Sequence, residues 1–328
     1  MLAEAGLPSP FSLASLPGGG NNRIYHVSCA GPAVLLKVYF QHPADPRDRL
    51  DAEFAFCRFA WQAGLRCVPQ PLACNREQKL GLYEFIEGQA LAPGDVAWPM
   101  VQQAMDFFCE LNRHRTTPAA QALPVASEAC FTLGQHLHCV ERRLARLQQL
   151  DRTALPGKEA AALVDGQLHA LWGQIQRKVL AHAAQWALPP EEPIAAEDRC
   201  LSPSDFGFHN ALVSGGRLRF VDFEYAGWDD PAKTVCDFFC QPAVPVPAEH
   251  FDRVAAALTG HTSAPQRSLE RAALLLPVYQ IKWCCIMLND FLPVGNQRRL
   301  FARESDDQES RRQTQLQKVR LALGRIRI

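Results

Sequence analysis

The hydrophobic period of this chain changes once, near Glu87-Gly88, and that change restricts the fold more than any other feature. Before it, short runs rich in Val, Ile, Leu, Tyr and Phe alternate with turn residues. Residues 22–29 and 33–40 read as paired strands, and two more strands fall around 69–74 and 80–86. One helical stretch, 49–63, interrupts them and closes at Gly64; its apolar stripe is Leu50, Phe54, Cys57 and Trp61, at alternating steps of four and three. After the change, apolar residues recur at helical spacing over 98–113, 128–150, 158–187 and, most apolar of all, 269–292. The tail, 296–328, is charged and helical in composition, as a solvated closing helix would be. There is no internal repeat and no long low-complexity linker. The pattern predicts an α+β chain of two lobes, a small antiparallel sheet lobe at 1–88 and a large, mostly helical lobe at 89–328.

Composition narrows the partners. The 34 basic and 34 acidic residues cancel, so nothing in the overall balance points to nucleic acid. No apolar run reads as reaching the roughly 18 residues of a membrane span, so no membrane is expected. Residues 1–11 lack the basic start and long apolar core of a secretory signal. None of the twelve cysteines has C-x-x-C spacing and many have apolar neighbours, which reads as buried free thiols in a reducing cytoplasm rather than a zinc site. Nothing in the sequence speaks to oligomeric state.

Within the helical half lies a turn-and-strand island, Ser202-Pro203-Ser204-Asp205-Phe206-Gly207-Phe208-His209-Asn210, followed by an apolar strand, the turn Ser214-Gly215-Gly216, and a returning strand that ends at Asp222. A hairpin of this kind places Asn210 and Asp222 at the same, open end. One amide oxygen and one carboxylate there suit Mg²⁺ held against nucleotide phosphates, and Asp205, one loop back, suits a base for an attacking hydroxyl. On the other side of the chain, Gly18-Gly19-Gly20-Asn21 forms a turn through which backbone N–H groups can approach phosphate oxygens with no Cβ in the way. Lys37 then stands inside the apolar strand Val34-Leu35-Leu36-Lys37-Val38, where an unpaired ammonium would be costly. On the helix at 49–63, Glu53 falls on the apolar side and Asp51 nearer the polar border.

These motifs resemble the aminoglycoside phosphotransferase and choline kinase group, whose fold is protein-kinase-like. Asp205-x-x-x-x-Asn210 is similar to the catalytic loop of that group. Val221-Asp222-Phe223-Glu224-Tyr225-Ala226 is similar to the metal-binding stretch of choline kinases, and the run from Gly227 to Pro231 resembles the Gly-x-Gly-Asp-Pro segment of the aminoglycoside enzymes. Asp205-Phe206-Gly207 spells the metal-binding triplet of protein kinases, but its position is that of the catalytic loop; Asp222-Phe223-Glu224 matches the triplet by place. The resemblance implies an enzyme that transfers phosphoryl from ATP, or another nucleoside triphosphate, with Mg²⁺, to a hydroxyl of a small molecule. It implies that Lys37 pairs with phosphates and with a glutamate on the following helix, where Glu53 is the first choice and Asp51 the second. It also implies that the hinge Tyr83-Glu84-Phe85-Ile86-Glu87-Gly88 holds the adenine through backbone groups around Glu84 and Ile86, and that the acceptor lies among large-lobe helices. Tyr279, Lys282, Trp283, Asn289 and Asp290 are candidates on 269–292, and Lys282 would suit an acceptor with a carboxylate or phosphate.

Two supporting residues of that group are replaced. Pro203 stands where a histidine precedes the catalytic aspartate, and Thr234 stands where a second aspartate braces the loop. The sequence supports a substitute brace, from Asp237 one helical turn further on or from the Thr234 hydroxyl to the 202–206 segment. Without one, the chain would read as a nucleotide-binding regulator that turns nothing over. A protein kinase is disfavoured by the short connection between Asp222 and Asp230-Pro231. His26 and His209 read as structural, and His136 and His138, two apart, face opposite sides of a helix.

Overall fold

A computed structural model of the chain describes residues 6, 9–16, 21–42, 45, 47–292 and 308–327. The small lobe is a five-stranded antiparallel sheet of order β1-β2-β3-β5-β4, with β1 Ser12–Ser15, β2 Arg23–Ser28, β3 Val34–Val38, β4 Pro71–Asn75 and β5 Leu80–Glu84. The strands read from alternation are β2 to β5; β1, Ser-Leu-Ala-Ser and exposed throughout, carries no apolar period to read. Lys37 lies mid-sheet, opposite Ile24 on β2 and Gly81 on β5.

Helix α1, Arg49–Gln62, crosses between β3 and β4. Asp48 caps it by accepting from the Asp51 N–H, and Gly64, at φ +91°, carries the chain away from its end. The single stripe expected of it is corrected. Leu50, Glu53, Phe56, Cys57, Phe59 and Ala60 are buried, whereas Phe54 and Trp61 are only half-buried. The reason is that α1 packs on two sides. Phe54 meets Tyr83 of the sheet at 6.0 Å between ring centroids, and Phe56 stacks on Phe223 of the large lobe at 4.9 Å.

The large lobe holds α2 (Trp98–Arg113), α3 (Pro118–Gln121), α4 (Leu133–Arg146), α5 (Gly157–Leu163), α6 (His169–Gln185), α7 (Pro231–Cys240), α8 (Phe251–Thr259), α9 (Pro265–Met287) and a closing helix, Gln308–Arg325. The helix expected from residue 128 begins at Leu133, because Thr132 and Gln135 form a reciprocal capping box. The stretch expected as one helix over 158–187 is α5 and α6 joined by a π-turn at Val164–Leu168. α9 also revises the reading of apolar runs. With the turn that follows it, to Phe291, it is long and apolar enough to cross a membrane by length and composition, with an 18-residue window of mean hydropathy 1.3. It is instead the central helix of the lobe, with α4, α6, α7, α8 and the closing helix packed around it.

The large lobe also carries two small sheets. β6 (Gln89–Ala90), β8 (Ala211–Ser214) and β9 (Arg217–Phe220) form one; β7 (Cys200–Ser202) and β10 (Gly227–Asp229) form the other. Beneath them lies a knot of phenylalanines. Phe206 stacks on Phe238 at 4.9 Å, Phe220 on Phe107 at 4.7 Å, and Phe107 tilts against both Phe206 and Phe223. The residues directly after Asp205 and Asp222 are thus both locked into the core. Gly227, at φ +156°, passes so close to Pro124 that a Cβ would lie 2.4 Å from its carbonyl oxygen, so only glycine fits there.

Candidate active site

The β8–β9 hairpin pairs Ala211 with Phe220, and the Val221 N–H donates to the Asn210 carbonyl at 2.9 Å, so Asn210 and Asp222 do flank its open end. Asp222 adopts a left-handed backbone, φ +67°, which turns its side chain out of the strand line. It meets Lys37 there: Lys37 Nζ lies 2.5 Å from Asp222 Oδ1 and 2.7 Å from Glu53 Oε2. Glu53, not Asp51, is the lysine's helix partner; Asp51 pairs with Arg76 on the surface. The Tyr39 hydroxyl donates to Glu53 Oε2 at 2.8 Å and lies 2.7 Å from the Tyr83 hydroxyl. Burial alone would pull the Lys37 ammonium down, but Asp222, Glu53 and Glu224 hold it above its usual range. Burial pushes Asp222 well above the usual carboxylate range. Lys37 opposes that shift, and the carboxylates of Glu224 and Glu53 add to it.

Gly18, Gly19 and Gly20 lie outside the described residues. The asparagine that follows them does not. Asn21 and its neighbour Asn22 donate to the two oxygens of Glu224, at 2.8 and 2.6 Å, and Arg49 lies 3.8 Å from the same carboxylate. Sequence reasoning assigned Glu224 no such task. The only signal was its place two residues after Asp222.

Asp205, part-exposed, is met by His209 Nε2 at 3.2 Å, so the histidine read as structural touches the candidate base. Burial would raise Asp205; His209 and then Lys282 bring it below its usual value. The Asn210 side-chain N–H donates to the Asp205 carbonyl at 3.0 Å, leaving its Oδ1 without a hydrogen-bond partner among the described residues. Of the two candidate braces, Thr234 reaches the loop, its hydroxyl donating to Ser202 Oγ at 2.9 Å. Asp237 does not: it accepts from Lys282 through both oxygens, at 2.8 and 2.9 Å, and from the Trp283 indole at 2.8 Å.

The acceptor candidates are correspondingly reduced. Lys282 is buried and held by Asp237, Tyr279 is buried against His136 at 2.7 Å, and Asp290 pairs with Arg311 at 3.2 Å. At the hinge, the Glu84 N–H donates to the Gln70 carbonyl at 2.8 Å, and its carboxylate clasps Arg219 of β9 at 2.9 Å, a bridge between the lobes. Ile86 follows beyond the strand end and is buried.

A model of the phosphotransferase enzyme family matches residues 12–268, which takes in β1 through the start of α9. The chain belongs to the phosphotransferase enzyme family. No curated protein matches the sequence. Solved structures do. A choline kinase from Cryptosporidium parvum superposes with a TM-score of 0.58 at 11% identity, covering 95% of this chain and 88% of that one. A choline/ethanolamine kinase family protein from Mesorhizobium loti gives 0.58 at 18% identity, covering 97% and 90%. A spectinomycin phosphotransferase in complex with ADP and spectinomycin gives 0.56 at 11%, covering 94% and 88%. At these identities the likeness is one of fold, and the fold is the two-lobed, kinase-like one that the sequence motifs implied. Within it, the lysine on β3 meets Asp222 and not Asp205, so the triplet spelled at Asp205-Phe206-Gly207 stands away from the lysine.

Proposed function

We propose that this family member is an ATP-dependent phosphotransferase that phosphorylates a hydroxyl of a small molecule, with the nucleotide held by the lobe at 1–88 and the acceptor by the lobe at 89–328. The observation that carries the reading is the Lys37–Asp222 contact. It joins residues 185 apart in sequence, one from each lobe, at the end of the hairpin that also presents Asn210.

Lys37, fixed by Glu53, offers a compact ammonium to phosphate oxygens of the nucleotide. Ile86, past the strand end, offers backbone groups to the adenine, while the Glu84 N–H is engaged within the sheet. The donor set at Asn210 and Asp222 fits Mg²⁺. Among the described residues the amide oxygen of Asn210 has no hydrogen-bond partner, and Asp222, which burial raises above the usual carboxylate range, keeps 30% of its side chain exposed. Among the described residues no three His, Cys, Asp or Glu side chains form a metal site of their own, so these two would hold the ion together with phosphate oxygens. When bound, Mg²⁺ would offset the charge on those phosphates. Asp205, kept ionised by His209 and Lys282, takes the proton from the attacking hydroxyl. The regulator reading drew on two departures, Pro203 and Thr234, and the Thr234–Ser202 bond, which braces the loop at the second, favours the enzyme reading.

The test is ADP release by purified protein across a panel of hydroxyl acceptors, with Mg·ATP binding followed by calorimetry. Asp222→Asn is expected to weaken Mg·ATP binding about tenfold or more, in line with the loss of one charged ligand. Unchanged Mg²⁺ dependence would remove Asp222 from the site.

A further inference from the structure

The segment before Asp205 is a strained turn with a built support. The Asp205 N–H donates to the Pro203 carbonyl at 2.9 Å, a three-residue γ-turn, and its central residue, Ser204, sits at φ +66°. A γ-turn with positive φ at its centre is the rare and strained form, and a residue with a Cβ adopts it only where surroundings enforce it. Three features do so here. Pro203 has a fixed φ. Ser202 is anchored at the end of β7 by pairing with Gly227 of β10. Lastly, Ser202 Oγ accepts from the Ser204 N–H at 3.0 Å and from the Thr234 hydroxyl at 2.9 Å. Ser202 is fully buried and Thr234 is 1% exposed, so water cannot replace either bond. The strut therefore runs from α7 through one serine oxygen to the peptide that sets the direction of Asp205.

We infer that Ser202 and Thr234 are positioning residues, a buried hydroxyl strut that holds the turn at Ser204 and so aims the Asp205 carboxylate at the acceptor. This rests on the phosphotransferase reading above. Neither hydroxyl faces the nucleotide side in this scheme, so its loss falls on kcat and spares ATP binding.

In steady-state assays Ser202→Ala and Thr234→Val are expected to lower kcat about 10- to 100-fold, the range of a misplaced catalytic group, with KM for ATP within twofold. Thr234→Ser, which keeps the hydroxyl, stays within threefold of wild type. Ser204→Gly in the Ser202→Ala background restores at least threefold, because glycine adopts positive φ without support. Unchanged kcat in both single variants overturns the inference. So does a fall in kcat accompanied by equal losses in ATP binding and melting temperature that Ser204→Gly does not relieve. If the wild type binds Mg·ATP yet phosphorylates no hydroxyl, the phosphotransferase reading fails separately. Amide exchange then decides the strut: Ser204 must be protected in the wild type and exchange at least tenfold faster in Ser202→Ala, and equal rates would overturn it.

Discussion

Lys37 in the small lobe and Lys282 in the large lobe are both 5% exposed and both sit among apolar neighbours. Their partners differ. Lys37 has two carboxylates, Glu53 buried and Asp222 part-open, and Asp222 is held above the usual carboxylate range by burial and by its neighbours Glu224 and Glu53, against the pull of Lys37. Lys282 faces one buried carboxylate, Asp237, which also receives the Trp283 indole and has Lys233 3.4 Å away. The first cluster is open and incomplete. The second is closed and satisfied. A buried lysine thus marks a ligand site when its partner remains accessible and under-compensated, and marks architecture when the partner is saturated.

The sharpest check is on the open side. Asp205→Asn is expected to remove about 10²- to 10⁴-fold of kcat, the range for general-base catalysis, with ATP affinity within twofold. Loss of ATP binding in the same variant would make Asp205 a metal ligand or a folding residue. Next comes a stability contrast. Lys282→Met leaves the buried Asp237 carboxylate with the Trp283 indole and with Lys233, 3.4 Å away, and is expected to cost about 1–3 kcal/mol in denaturant unfolding. Lys37→Met is expected to cost more, about 3–5 kcal/mol, because it takes the ammonium from the buried Glu53 carboxylate and leaves it the Tyr39 hydroxyl, while kcat/KM for ATP falls about 100-fold, as for loss of a charged phosphate contact. A stable Lys282→Met with a raised KM for the acceptor would break the comparison and return Lys282 to the substrate site.

The smallest effect is a pH slope in the closed region. His136 is buried between Tyr279 and Asp230, and desolvation depresses it to about 4, despite Asp230. Its folded value lies below the unfolded one, so the folded state binds fewer protons. The stability it contributes is present above pH of about 6.5 and is lost as pH falls toward 4. Between pH 7 and 5 that share is about 2 kcal/mol. A melting-temperature profile should flatten in this window in His136→Gln, and an unaltered slope would exclude His136 as its source.

Read along the chain, period and register carried a good part of this site. Lys37 stood out because an ammonium interrupts an apolar strand. Glu53 followed from the face of one helix, and Asn210 with Asp222 from the geometry of one hairpin. Each of these is a local relation, set within a strand, a helix or a turn. The contacts left unread join distant segments: Asn21 and Asn22 to Glu224 across 203 and 202 residues, and Lys282 to Asp237. No local period encodes them, because each bond forms only when separate elements pack.

The sequence by itself determined the small sheet, the helical body and the turn-and-strand island, since side-chain periods of two and 3.6 follow from backbone geometry alone. It also determined which residue types were available for phosphate, metal and proton. Only the tertiary structure decided which charges would be left open and which satisfied. α1, read as a helix with one apolar stripe, buries two sides because the sheet and Phe223 both close on it. Asp237, readable as a brace for the catalytic loop, turns instead to Lys282 and Trp283 on α9, and Thr234 takes up the loop in its place. The physical reason is the same in both cases: helical spacing sets which residues share a face, but the neighbour that face meets, and hence the partner of each buried polar group, is chosen by packing.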